Sequence, residues 1–101
     1  MKDVEVLRRP KTRVKTEKPR LYKVLLINDD FTPREFVVRV LKAVFRMTAE
    51  QAEHVMLTAH RMGSCVVVVL TKDAAETKAG EATDLGRGAG YPLLFVAEPE
   101  D

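Results

Sequence analysis

The chain is 101 residues long, 46% hydrophobic and 32% charged, with a formal net charge of +2. That length holds one compact domain and little else. No run of about 18 apolar residues offers a membrane span, and the charged, proline-containing start lacks the apolar stretch of a secretory signal.

A single cysteine, Cys65, excludes an internal disulfide framework and fits a reducing compartment, so the expected setting is cytoplasmic. The small net charge conceals an asymmetry. Residues 1–23 hold nine Lys/Arg against Asp3, Glu5 and Glu17, whereas residues 24–101 hold eight against twelve acids. Residues 1–20 contain Pro10, Pro19 and only scattered apolar side chains. Such a segment buries too little surface to offset the entropy of ordering, which predicts a flexible basic extension before a core domain over 21–101. Its charge makes it a solubilising leader first, and a docking arm for an acidic surface second.

Order is expected from Leu21. The run Tyr22-Lys-Val-Leu-Leu-Ile27 is β-prone and apolar enough for an interior strand. Asn28-Asp29-Asp30 then favours a turn, because these side chains bond to nearby backbone. In Thr32-Pro33-Arg34-Glu35, Thr32 is placed to cap a helix, Pro33 to occupy its first position and Glu35 to complete a capping box. Phe36, Val37, Val40, Leu41, Val44 and Phe45 supply the apolar face. A second capping box, Thr48-Ala49-Glu50-Gln51, opens another helix carrying Ala52, Val55, Met56 and Ala59, with Gly63 as its stop.

Cys65-Val-Val-Val-Val-Leu70 reads as a short buried strand. Thr71 or Asp73 opens a third helix. Gly80, Gly86, Gly88 and Gly90 each lower helix propensity by about 1 kcal/mol, so this helix is expected to fray or end before Gly86. Tyr91-Pro92 re-enters an extended conformation, and Leu93-Leu94-Phe95-Val96-Ala97 forms the last strand. The predicted class is α+β: a three-stranded antiparallel sheet with three helices on one face, in the order β-α-α-β-α-β.

Few residues are equipped for chemistry. His54 and His60 fall on different faces of one helix and Cys65 lies outside it, a poor zinc inventory, so no metal or cofactor is expected. Gly86-Arg-Gly88-Ala-Gly90 lacks the strand-before, helix-after context of a phosphate loop and reads as a connector. The core carries no aromatic-rich basic stripe to read a base, which excludes sequence-specific nucleic-acid binding.

The constellation with chemical content is Asn28-Asp29-Asp30-Phe31-Thr32 with His60. Taken alone, Asn-Asp-Asp is most simply a turn. Its oxygens also suit an ammonium group with three donors, and a neutral His60 ring offers a further acceptor. Met56 and Ala59 would wall an apolar pocket beneath, as a receptor for an α-amino group on a large apolar side chain requires.

Tyr22 through Pro33, then Glu35-Phe36-Val37, Met56-Leu57, Ala59-His60, Ala75-Glu76-Thr77-Lys78 and Pro92-Leu93-Leu94 together resemble the ClpS family, in order and spacing, from about Leu21 onward. The resemblance implies a non-enzymatic adaptor. It would bind N-degron proteins that begin with Leu, Phe, Tyr or Trp and pass them to the ClpA unfoldase for degradation by ClpP. It further implies that Asn28, Asp29 and His60 hold the substrate α-amino group, with Asp30 and Thr32 supporting the loop. Leu26, Thr32, Val37, Met56, Ala59 and Leu93 would line the side-chain pocket. Asp73 and Lys78 would dock on the unfoldase's N-terminal domain, and the basic extension would be the arm engaged during delivery. Arg34 departs from the family, which commonly has a methionine there as a gate at the pocket rim; a longer, charged side chain predicts altered discrimination of the first residue. The glycine-rich stretch from Gly80 to Gly90 also departs from the family's fuller helix. Two other readings keep this sequence: a protein-docking domain similar to that of the ribosomal stalk protein, and a small hydrolase using Asp29 and His60.

Overall fold

The computed structural model describes residues 18–101, so the expected extension over 1–20 falls almost wholly outside the described residues. Strand β1 (Leu21–Ile27) is followed by helices α1 (Arg34–Phe45) and α2 (Ala49–Met62), strand β2 (Ser64–Thr71), helix α3 (Lys72–Gly88) and strand β3 (Leu94–Pro99). The sheet order is β2-β1-β3, with both pairings antiparallel. The predicted class and element order are those observed. β1 takes the central position that its apolar run suits, with Val24 and Leu26 buried under the helices.

The helical side of the core follows helix periodicity. Val37, Val40, Leu41 and Val44 are the buried stripe of α1; Ala52, Val55 and Ala59 serve α2, and Ala75, Ala79 and Ala82 serve α3. Small residues on α3 let it lie close to the sheet. Phe95 on β3 packs on Phe45, ring centroids 5.6 Å apart, and Lys78 Nζ donates to the Val44 carbonyl at the C-terminal end of α1.

Three expectations need correction. β2 is an edge strand, and Val66 and Val69 are 46% and 37% exposed. Its β-branched composition reflects fit to a pleated surface, not burial on both faces. A bulge also interrupts its pairing, since Val24 faces Val68 while Leu25 faces Val66.

Second, α3 runs through Gly86 to Gly88. Gly86 is buried, and a Cβ there would stand 2.7 Å from Leu93 Cβ, so close packing replaces the propensity the glycine lacks. Beyond it, Tyr91 N–H donates to the Gly86 carbonyl and Gly90 N–H to the Arg87 carbonyl, with Gly90 at φ 86°. This is a Schellman stop, in which the left-handed residue is the one that glycine makes inexpensive. It also moves the last strand's start to Leu94, leaving buried Leu93 in the approach.

Third, Thr32 does not cap α1. The cap position is Pro33, in an extended conformation, and no side chain bonds to the first turn.

Candidate functional site

The site is assembled at the end of β1. Ile27 pairs with Ser64 and with Leu94, and Asn28 N–H donates to the Gly63 carbonyl at 3.0 Å. Gly63 terminates α2 in the left-handed conformation at φ 93°. Tying Asn28 to Gly63 therefore sets it beside the last turn of α2, which carries His60, with Ala59 and Met56 preceding it on the inward side.

The loop between β1 and α1 is ordered by one carboxylate. Asp29 Oδ1 accepts from the N–H of Phe31 at 2.8 Å and of Thr32 at 2.7 Å, while Oδ2 accepts from Thr32 Oγ1 at 2.9 Å. Thr32 gives its hydroxyl proton to Asp29, and the predicted box with Glu35 does not form because the cap position falls one residue later, on Pro33. An ionised carboxylate has about four acceptor positions; three of those on Asp29 are occupied within the loop. Asp30 is exposed and has no hydrogen bond or ion pair among the described residues.

These elements surround a cavity of about 310 Å³ lined by Leu26, Ile27, Asn28, Asp29, Asp30, Phe31, Thr32, Pro33, Arg34, Val37, Met56, Ala59, His60 and Leu93. That is near the small end of the roughly 300–1,000 Å³ of ligand sites, a size for one side chain and its adjoining polar group. Every residue named from sequence for the amine niche, side-chain pocket and rim is brought to this one cavity. Oxygen acceptors gather at its mouth. Leu26, Val37, Ala59 and Leu93 are buried and supply apolar wall. Arg34 stands at the same cavity, exposed, one turn of α1 before the buried Val37.

The two residues named for unfoldase docking lie elsewhere on the molecule. Asp73 is exposed in the first turn of α3. Lys78 is half-buried, donating to Val44 and approaching Glu81 at 3.9 Å, so much of its donor capacity is used within the chain. Ile27, Phe31 and Pro33 line the cavity as well, although their sequence positions did not single them out as pocket residues. For Phe31 a signal was available, since a large aromatic in a polar turn has no core to enter; it is 79% exposed at the cavity rim. Cys65 is not part of the cavity, and burial raises its thiol above the ordinary value, keeping it a small neutral packing group. No helix among the described residues is long and apolar enough to cross a membrane.

Residues 17–96 match the family described as ATP-dependent Clp protease adaptor protein ClpS. The chain is 66% identical to the ATP-dependent Clp protease adapter protein ClpS 2 of Rhizobium meliloti, over the full length of both. It is 63% identical to the ClpS 1 adapter of Bradyrhizobium diazoefficiens, covering 96% of this chain and 98% of that one. A solved structure of Agrobacterium tumefaciens ClpS2 bound to L-phenylalaninamide superposes with a TM-score of 0.82 at 66% identity, covering 82% of this chain and all of the other.

Proposed function

The chain belongs to the ClpS family of Clp protease adaptors, and from that premise we propose that its cavity captures proteins by a bulky hydrophobic first residue, of the Leu, Phe, Tyr or Trp type. The observation that carries this reading is the joining of oxygen acceptors at the mouth to an apolar interior in one small cavity. An N-terminal residue presents that pattern in reverse: an ammonium group with three donors, and an apolar side chain on the same carbon. L-Phenylalaninamide, the ligand of the Agrobacterium relative, is the smallest form of it, a free amine and an aromatic ring with an amide in place of the onward chain.

Within this reading, Asn28 and His60 accept hydrogen bonds from the α-amino group. The two aspartates divide the work. The bonds within the loop favour Asp29 as the group that shapes it and holds the niche open, with acceptor capacity left for at most a minor share of the amine. Asp30 presents its whole carboxylate to the incoming charge, reversing the order expected from sequence. Leu26, Thr32, Val37, Met56, Ala59 and Leu93 enclose the side chain. Arg34 at the rim alters selection among first residues, and replacing it by methionine changes their ranking. Captured proteins pass to the ClpA unfoldase for ClpP degradation, with Asp73 the more available of the two docking candidates.

The test is fluorescence anisotropy with a labelled peptide beginning Phe, beside the same peptide N-acetylated. Binding of the free amine that disappears on acetylation, and is reduced in both Asp30→Ala and His60→Ala, is the expected result. Equal binding of the two peptides overturns the reading and leaves a docking domain.

A further inference from the structure

A second concavity lies on the other side of α1. Phe36, Val40 and Ala43 form its floor, Leu85 of α3 its far bank, and Arg39 and Lys42 its near edge. None of these residues lines the cavity at the end of β1. Its surface is apolar, and Leu85 is 47% exposed there.

The charges beside it are unbalanced. Arg39 and Lys42 stand at i and i+3 on one face of α1, and Arg46 follows at its left-handed C-cap. None has an ion pair among the described residues, and the only acid of α1 is Glu35, at its opposite end. On α3, the two acids nearest Leu85 in the chain are each beside a base, Glu81 by Lys78 and Asp84 by Arg87. Arg39 lies 5.7 Å from the centroid of the Phe36 ring, which holds its guanidinium over the groove. An apolar floor edged by unneutralised bases is complementary to an acidic strand of chain with one large apolar side chain. Residues 1–17 of this chain are a poor occupant, with six bases against three acids.

We propose that the groove between α1 and α3 is a second docking site, which receives an acidic segment of a partner protein anchored by a leucine or aromatic side chain. The anchor packs between Phe36, Val40 and Leu85, and flanking carboxylates meet Arg39 and Lys42. The site is independent of the amino-end cavity, so one adaptor holds a captured protein and this partner together.

The experiment is an NMR titration of the isotopically labelled full chain with a synthetic probe, acetyl-Glu-Leu-Glu-Glu-Leu-Phe-Glu-amide, whose blocked amine keeps it out of the first cavity. Saturable shifts centred on Phe36, Arg39, Val40, Lys42 and Leu85 are expected, weakening as salt is raised. Arg39→Glu with Lys42→Glu, both exposed positions, should weaken the probe at least about tenfold. Leu85→Ser should weaken it without altering the charge. Binding of a free-amine Phe peptide to the charge-reversed variant should match wild type; if that peptide binds neither form, the amino-end reading fails while the groove result stands. Absent or scattered shifts, shifts unchanged by the double variant, or equal binding of a lysine-for-glutamate probe overturn the proposal. So does sedimentation showing a dimer that the double variant dissolves, because the groove then belongs to a second copy of the chain.

Discussion

At the start of α2, Thr48 N–H donates to Gln51 Oε1 at 3.0 Å and Gln51 N–H donates to Thr48 Oγ1 at 3.1 Å, a reciprocal cap spent wholly on the helix. At the start of α1 the corresponding threonine gives its hydroxyl proton to Asp29, and the first turn has no side-chain cap. The cap forgone is worth about 1 kcal/mol. What α1 receives in exchange is a loop of fixed shape, with Asn28 and Asp30 held at the cavity mouth. The contrast teaches that the site lies where a helix start gives up its cap while the loop before it is tied to its own carboxylate. The same contrast recurs along α3, where exposed Gly80 has open space around its α-carbon and buried Gly86 has Leu93 against it.

The largest effect should come from removing the organiser of the first loop. Asp29→Ala deletes three hydrogen bonds to a charged acceptor and should cost roughly 2 kcal/mol of peptide binding, about thirtyfold in Kd. Anisotropy with a free-amine Phe peptide reads this, and binding within twofold of wild type would break the distinction between the two helix starts.

Gly86→Ala comes next. Overpacking against Leu93 costs about 1–3 kcal/mol and helix propensity returns at most about 1 kcal/mol, so denaturant unfolding should show a net loss. Because Leu93 also lines the cavity, peptide affinity should fall with it. A variant as stable as wild type would mean that the Gly86–Leu93 approach relaxes freely.

Thr48→Ala should destabilise the fold by about 1 kcal/mol and leave peptide affinity unchanged, which is the mirror image of Asp29→Ala. A substantial loss of binding would show that the α2 start also serves the site. Smallest is Gly80→Ala, expected to raise stability by about 0.4–1 kcal/mol, since nothing lies within 4 Å of the added methyl. Thermal unfolding of the two glycine variants side by side should therefore move in opposite directions.

Much of this was legible in the chain. Periodicity and caps located the helices, the apolar run of β1 announced a central strand, and the Thr48 and Gly63 signals were realised as such. The cavity residues were also legible, because the spacing from Tyr22 to Leu93 resembled one family throughout. Less legible were the α1 cap, the reach of α3 and the exposure of β2. Each depends on where neighbouring segments meet: the helix start on Pro33 after the Asp29–Thr32 loop, Leu93 against Gly86, and the place of β2 at an edge of the sheet among the described residues.

By itself the sequence determined the order of elements, the family and the residue types a receptor for an amine and an apolar side chain would use. The order of elements follows from local propensity and periodicity, which act over a few residues; the family and the receptor residues follow from the resemblance of motifs in order and spacing. Only the tertiary structure decided which carboxylate shapes the loop and which remains open, because that is set by hydrogen-bond directions within a turn. It also set His60 beside Asn28 through the bond to Gly63, and it left a basic, apolar groove between α1 and α3 uncovered. Such contacts join segments far apart in the chain, and pattern along the chain does not carry them.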